Sequence, residues 1–155
     1  MKIKDKNIVI TGGASGIGKA MAESFSHHKA NSIVVVDINE SLLNETRKDI
    51  DAIPIVADVS NENEILRIID IAKERVGNID IFCSNAGIGG APGLINTSQE
   101  DWQTIWQVNV MSHIYAAKHL IPSMIKQGGG YLVNTASAAG LLTQIGSAGY
   151  SVTKS

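Results

Sequence analysis

The sequence predicts an α/β fold, a doubly wound parallel sheet of about five strands in a three-layer α/β/α sandwich, on three observations. Short β-branched runs alternate with longer segments of helical periodicity along the chain. The runs are apolar at successive positions rather than at every second one, which marks strands covered on both faces. Regular strand–helix alternation calls for right-handed crossovers, and these set helices on both sides of the sheet.

The elements follow in order. "NIVIT" (7–11) reads as the first strand and "GKAMAESFSHHKA" (18–30) as a helix, with Met21, Ala22 and Phe25 at helical spacing. "SIVVVD" (32–37) and "IPIVAD" (53–58) are the next strands, separated by a helix over 39–50. Pro54 suits a strand end better than a strand middle. "NENEILRIIDIAKERVG" (61–77) is an amphipathic helix, capped by Ser60 or Asn61 and stopped by Gly77. "IDIFCSN" (79–85) is the fourth strand, and 88–97 a glycine-rich loop. A long helix over 98–127 is expected to bend or break near Pro122. "YLVNTAS" (131–137) is the fifth strand, and a loop over 138–147 leads into "YSVTK" (150–154).

Length and composition narrow the function classes. The 155 residues suit one domain, 1–155, able to bury a real core. Net charge is −2 with no basic run, which argues against nucleic acid and anionic membrane as partners. No stretch approaches the ~20 apolar residues of a membrane span, and no signal peptide is evident, so a cytoplasmic protein is the expectation. The one cysteine, Cys83, sits in an apolar run and reads as a buried thiol, with no partner for a disulfide within the chain.

Chemistry enters at the first strand–helix turn, "TGGASGIG" (11–18). Gly12, Gly16 and Gly18 let the backbone turn sharply and approach a ligand. The free N–H groups and dipole of the helix start suit a pyrophosphate. No Gly-Lys-Ser/Thr follows, so this is not the nucleoside-triphosphate loop. A tight structural turn is the bland alternative, but its place between strand and helix favours a dinucleotide. Asp37 closes the second strand, 19 residues after Gly18. A carboxylate there can accept both hydroxyls of an adenine ribose and repel a 2′-phosphate. Neither Ser15 nor Ile38 is basic, which favours NAD over NADP. Asp58 ends the third strand, where it and Val59 could meet an adenine, or Asp58 could instead cap the next helix.

With these residues in view the chain resembles the short-chain dehydrogenase/reductase family, in its single-domain branch. Residues 11–18 match the T-G-x-x-x-G-x-G motif, Asn85, Ala86 and Gly87 the N-A-G motif, and Asn109, Ser137, Tyr150 and Lys154 the family's Asn, Ser and Y-x-x-x-K positions. The resemblance covers residues 5–155 and implies a Rossmann-like fold. It also implies hydride transfer between NAD(P) and a small-molecule alcohol or carbonyl. Gly12, Ser15, Gly16, Ile17, Gly18, Asp37, Asp58, Val59, the N-A-G residues, Tyr150 and Lys154 would bind the cofactor. The expected complete form is a homo-oligomer, dimer or tetramer, paired through the long helix. The family domain continues past its Y-x-x-x-K motif, so residues 1–155 would be the N-terminal portion of a longer domain.

The chemistry explains those residue types. Oxidising an alcohol removes a hydride from carbon and a proton from oxygen; the cofactor takes the first and the protein must handle the second. A free phenol ionises only near pH 10, about three units too high for a base at neutral pH, and a nearby ammonium favours its anion. Lys154, four residues after Tyr150, shares its helical face. Ser137 would hold the substrate oxygen as its charge changes. By resemblance, Lys154 also binds the nicotinamide ribose and Asn109 helps hold a water in a proton relay. Taken singly, each residue has a structural reading: a chance helical pair, a turn-forming serine, a local hydrogen-bonding asparagine. Two other functions remain as alternatives, a catalytically incomplete NAD-binding module and a protein-interaction fragment. His113 and His119 lack acidic or cysteine partners at metal spacing, so no metal is expected. Trp102 and Trp106 read as packing or partner-contact residues.

Overall fold

The computed structural model describes residues 2–90, 93–142 and 145–155. Five parallel strands, β1 (Asn7–Thr11), β2 (Ser32–Asp37), β3 (Ala52–Val56), β4 (Ile81–Ser84) and β5 (Tyr131–Asn134), form one sheet in the order β3-β2-β1-β4-β5. The order reverses direction after β3, with β4 added on the far side of β1. That change of direction opens a crevice at the carboxyl ends of β1 and β4, where ligands bind in such sheets.

The two-sided apolarity of the strands has a direct structural meaning. Ile8, Ile10, Ile33, Val35, Ile81 and Cys83 point to one face, where they meet Ala22 of α1 (Gly16–His27) and Leu43 of α2 (Glu40–Asp49). Val9, Val34, Val36, Ile55 and Phe82 point to the other. There they pack on Ile65, Ile68, Ile69 and Ala72 of α3 (Glu62–Val76) and on Ala116, Leu120 and Met124 of α5 (Ser112–Lys126). Alternating side chains of one strand thus feed two cores.

Helix starts are set by side-chain caps. Asn39 accepts from the Leu42 N–H ahead of α2, and Asn61 from the Asn63 N–H ahead of α3. Ser98 and Asp101 form a reciprocal capping box at α4 (Gln99–Trp106). Gly77, at φ 80°, ends α3 as the sequence suggests.

Several boundaries differ from expectation, β5 ending at Asn134 rather than at 137 among them, and three differences bear on the argument. β3 runs over 52–56 rather than 53–58, so Asp58 lies in the turn beyond it and Pro54 in its middle. Pro54 is tolerated because β3 is an edge strand. The Ala57 N–H donates inward to the Asp37 carbonyl, so by strand alternation residue 54 faces away from β2 and its missing N–H costs no ladder bond. The neighbouring outward carbonyl, that of Val56, accepts from the Arg67 guanidinium at 2.6 Å. The third difference is the break in the long helix. It falls at a π-helical turn over Gln107–Met111, and α5 continues through Pro122 to Lys126. Pro122 lies on the exposed side of α5, where water can satisfy the carbonyl it leaves free.

Cys83 is fully buried on β4, and burial pushes its thiol up from an ordinary value of 9.0 to about 11. The folded protein therefore holds this proton to higher pH than the unfolded chain does. The contribution to stability is complete below about pH 9 and is lost as pH rises through about 11, by roughly 2–3 kcal/mol. Denaturant unfolding at about pH 8 and pH 11 should show that decline, and Cys83→Ala should reduce it.

Candidate active site

The crevice is a cavity of about 650 Å³ whose walls come from seven separate segments, two of them the single residues Val108 and Thr135. The glycine turn supplies Gly12, Ser15, Gly16 and Ile17, and the end of β2 supplies Asp37 and Ile38. Asp58 and Val59 come from the turn after β3, and Asn85, Ala86 and Gly87 from the end of β4. Tyr150 and Lys154, from α6 (Ala148–Lys154), close the opposite end. Gly18 is buried beneath the turn rather than on the cavity wall, and neither Ser137 nor Asn109 lines it.

The glycine turn is shaped by contact. A Cβ on Gly12 would stand 2.9 Å from the Ala86 Cα, and one on Gly18 would collide with the Gly12 carbonyl. Gly12 also sits at φ 64°, a conformation side chains resist. Thr11 ties this turn to β4: its Oγ donates to the Cys83 carbonyl and accepts from the Asn85 and Ala86 N–H groups. Asn85 completes the knot, with its amide N–H groups directed to the Thr11 and Gly12 carbonyls and its Oδ1 accepting from Thr135 Oγ at 2.9 Å. The N-A-G segment thus fastens β1, β4 and the end of β5 to one another.

Two features of this end suit a dinucleotide. α1 opens at Ser15 with no side-chain cap and no acidic residue in its first turn, unlike the capped α2, α3 and α4. Its first N–H groups are thus left for an anion. Asp37 is oriented by the Ala14 N–H on one oxygen (3.3 Å) and the Asn39 N–H on the other (3.1 Å). Among the described residues of the cavity wall Lys154 is the one cation, and it bonds to Thr135 just past β5, three strands across the sheet from the β2 end that carries Asp37. The Asp58 carboxylate accepts from the Ser60 N–H at 2.9 Å while lining the cavity; Asn61 caps α3.

At the other end α6 presents Tyr150 and Lys154 together. The Lys154 Nζ lies 5.9 Å from the centroid of the Tyr150 ring and donates to the Thr135 carbonyl at 3.1 Å. Asn109, buried in the π turn, acts as a three-way clamp. Its Oδ1 accepts from the Ile88 N–H (2.9 Å), and its Nδ2 donates to the Ile88 carbonyl and to Thr153 Oγ (both 3.0 Å). Thr153 in turn donates to the Tyr150 carbonyl. Ser137 starts a 3-10 turn over Ala138–Gly140, its Oγ accepting from the Ala139 N–H at 3.2 Å. His113, one turn beyond Asn109, has a buried Nε2 with no protein partner. Burial, and then the Lys154 ammonium, hold it below the ordinary imidazole range. Among the described residues no cluster of His, Cys, Asp and Glu could hold a metal ion.

Thr135, Thr153 and Ile88 hold the site together yet stand out in no sequence pattern, and Thr11, which opens the glycine motif, gains its part in the site only from the structure. Each acts through a backbone group or a long-range bond. The loops over 88–97 and 138–147 are joined by the Gly93 N–H donating to the Gly146 carbonyl at 2.8 Å. Residues 91–92 and 143–144 of these loops lie outside the described residues.

The short chain dehydrogenase family profile matches residues 6–155, and the chain belongs to that family. It is 36% identical over 158 residues to the CLA biosynthesis dehydrogenase/reductase of Lactiplantibacillus plantarum, covering 97% of this chain and 54% of that protein. It is 30% identical over 159 residues to the 3-oxoacyl-[acyl-carrier-protein] reductase FabG of Thermotoga maritima, covering 99% of this chain and 64% of that protein. A short chain dehydrogenase/reductase of Burkholderia phymatum, solved in complex with NAD, superposes with a TM-score of 0.93 at 31% identity, over 99% of this chain and 57% of that one. The chain therefore spans somewhat over half the length of the relatives it matches. No helix among the described residues is long and apolar enough to cross a membrane.

Proposed function

We propose that residues 1–155 form the dinucleotide-binding and proton-transferring part of an oxidoreductase acting on an alcohol or carbonyl substrate with NAD. The observation that carries this reading is one continuous cavity with an uncapped helix start and Asp37 at one end and the Tyr150–Lys154 pair at the other. The Burkholderia relative's bound NAD supports the same assignment.

In this reading the Asp37 carboxylate takes the adenine-ribose hydroxyls, and Ile17, Asp58 and Val59 border the adenine side. Ser15, Gly16 and the first N–H groups of α1 would hold the pyrophosphate. Asn85, Ala86 and Gly87 bound the nicotinamide side, with Lys154 on the ribose there. When bound, the nicotinamide supplies the hydride acceptor or donor. Tyr150 transfers the proton at the substrate oxygen, Ser137 steadies that oxygen, and Lys154 stands beside the phenol with its ammonium 5.9 Å from the ring centroid. Asn109 holds Thr153, and so α6, in place. A homo-oligomer would use the exposed apolar side of the long helix, Trp106, Ile114, Ile121 and Ile125.

The test is turnover of a panel of secondary alcohols and ketones by the full-length protein, with NAD and NADP compared. NAD is expected to give at least about tenfold higher kcat/KM, and Asp37→Ala should narrow that gap through weaker NAD binding. Dinucleotide binding with no turnover on any substrate would favour the incomplete binding module. Unchanged selectivity in Asp37→Ala would remove the NAD assignment.

A further inference from the structure

Lys154 is gripped at both ends by one short stretch of chain. Its ammonium donates to the Thr135 carbonyl at 3.1 Å. Its own carbonyl lies directly against Gly140: a Cβ at 140 would collide with it and reach within 3.0 Å of the Ser155 nitrogen. Thr135 and Gly140 bracket Ser137. From Ser137 onward the chain is drawn into a single tight turn, in which the Gly140 N–H donates to the Ser137 carbonyl at 3.1 Å and the Leu141 N–H to the Ala138 carbonyl at 3.0 Å.

Backbone freedom does not explain a glycine here, since residue 140 is not among the glycines of positive φ. The approach of the Lys154 backbone does. By contrast, a Cβ on Gly149, at the start of the same helix, would meet only the side chains of Ile105 and Trp102, at 3.5–3.8 Å. Side chains can yield; the helix backbone at Lys154 moves only with α6 itself. α6 is also tied to Asn109 through Thr153. A displacement at 140 therefore strains that tie rather than being absorbed.

We propose that Gly140 is a positioning residue, which sets the separation of Ser137 from the Tyr150–Lys154 pair by letting the serine's turn seat on the Lys154 backbone. The inference rests on the oxidoreductase reading of this site. Any β-carbon at 140 pushes α6 away from the turn, and a misplacement of about 1 Å in a catalytic constellation costs on the order of 100-fold in rate.

A double-mutant cycle in the full-length protein tests it. Gly140→Ala is expected to lower kcat by about 10- to 100-fold with substrate KM within about threefold. In a Lys154→Ala background the same change should cost clearly less, because the ammonium whose placement it disturbs is gone while the backbone carbonyl it meets remains. NAD affinity, read by calorimetry in the same four proteins, should show the same non-additivity. Losses that simply multiply in both readouts, or wild-type turnover in Gly140→Ala, would overturn the proposal. If Gly140→Ala does not fold, Ala139→Gly loosens the same turn without adding an atom. A loss of about threefold that vanishes with Lys154→Ala supports the inference, and one that persists overturns it. A wild type without turnover on any substrate counts against the oxidoreductase reading alone, and the affinity cycle then decides the role of Gly140.

Discussion

Tyr150→Phe is expected to lower turnover by about 10²- to 10⁴-fold while leaving dinucleotide affinity within about threefold. The substitution removes one hydroxyl and keeps the ring. The aromatic face that Lys154 approaches at 5.9 Å is therefore retained, as are the Asn109–Thr153 bond and the Lys154–Thr135 bond that fix α6. The only function deleted is transfer of the proton at the substrate oxygen. Following reduced-nicotinamide absorbance under saturating substrate gives kcat, and calorimetry gives the affinity. A fall of less than about tenfold would show that another group carries the proton, and the assignment of Tyr150 would be withdrawn.

Gly18→Ala should be as damaging, by a different route. The new Cβ would collide with the Gly12 carbonyl and stand 2.7 Å from its carbon and 2.8 Å from Asn85 Nδ2. Gly12 cannot retreat, because Ala86 is packed against its Cα side and Asn85 directs its amide to the Thr11 and Gly12 carbonyls. The whole knot of β1, β4 and the first turn must shift. Overpacking of this kind costs about 1–3 kcal/mol, which lowers the melting temperature of a domain this size by roughly 2–12 °C. Affinity for NAD should fall at least about 100-fold, since the same turn is the proposed pyrophosphate seat. A variant that melts like the wild type and binds NAD normally would show that the turn has room this geometry denies it.

The sheet was legible because its evidence is local. Runs such as "SIVVVD" carry their two-sided burial in their own composition, and caps such as Asn61 and Gly77 sit next to the helix they bound. The glycine turn and the Tyr150–Lys154 pair are legible for the same reason, since their members stand close along the chain, and Asp37 is legible because a parallel crossover returns the end of β2 beside the end of β1. Asn109 was readable as a motif residue but not as the cause of the helix break. Pro122 drew attention because its chemistry is written in one residue. The π turn instead coincides with bonds from Asn109 to residues 21 and 44 positions away, which no local pattern encodes. Thr135 and Gly140 escaped for the same reason, as both act on Lys154 through backbone atoms. Asp58 was ambiguous in sequence and is dual in structure, bonded to a turn and facing the cavity at once.

The two margins of the sheet are chemically unequal. Along β3, residue 54 offers no donor and the carbonyl of Val56 is already occupied by Arg67, so an incoming strand would find little to bond there. Along β5, Tyr131 and Val133 are half-exposed and no proline interrupts the strand. Lateral extension of this structure is therefore directional: an added strand is better received past Tyr131–Asn134, on the side where Lys154 and Ser137 lie, than along β3.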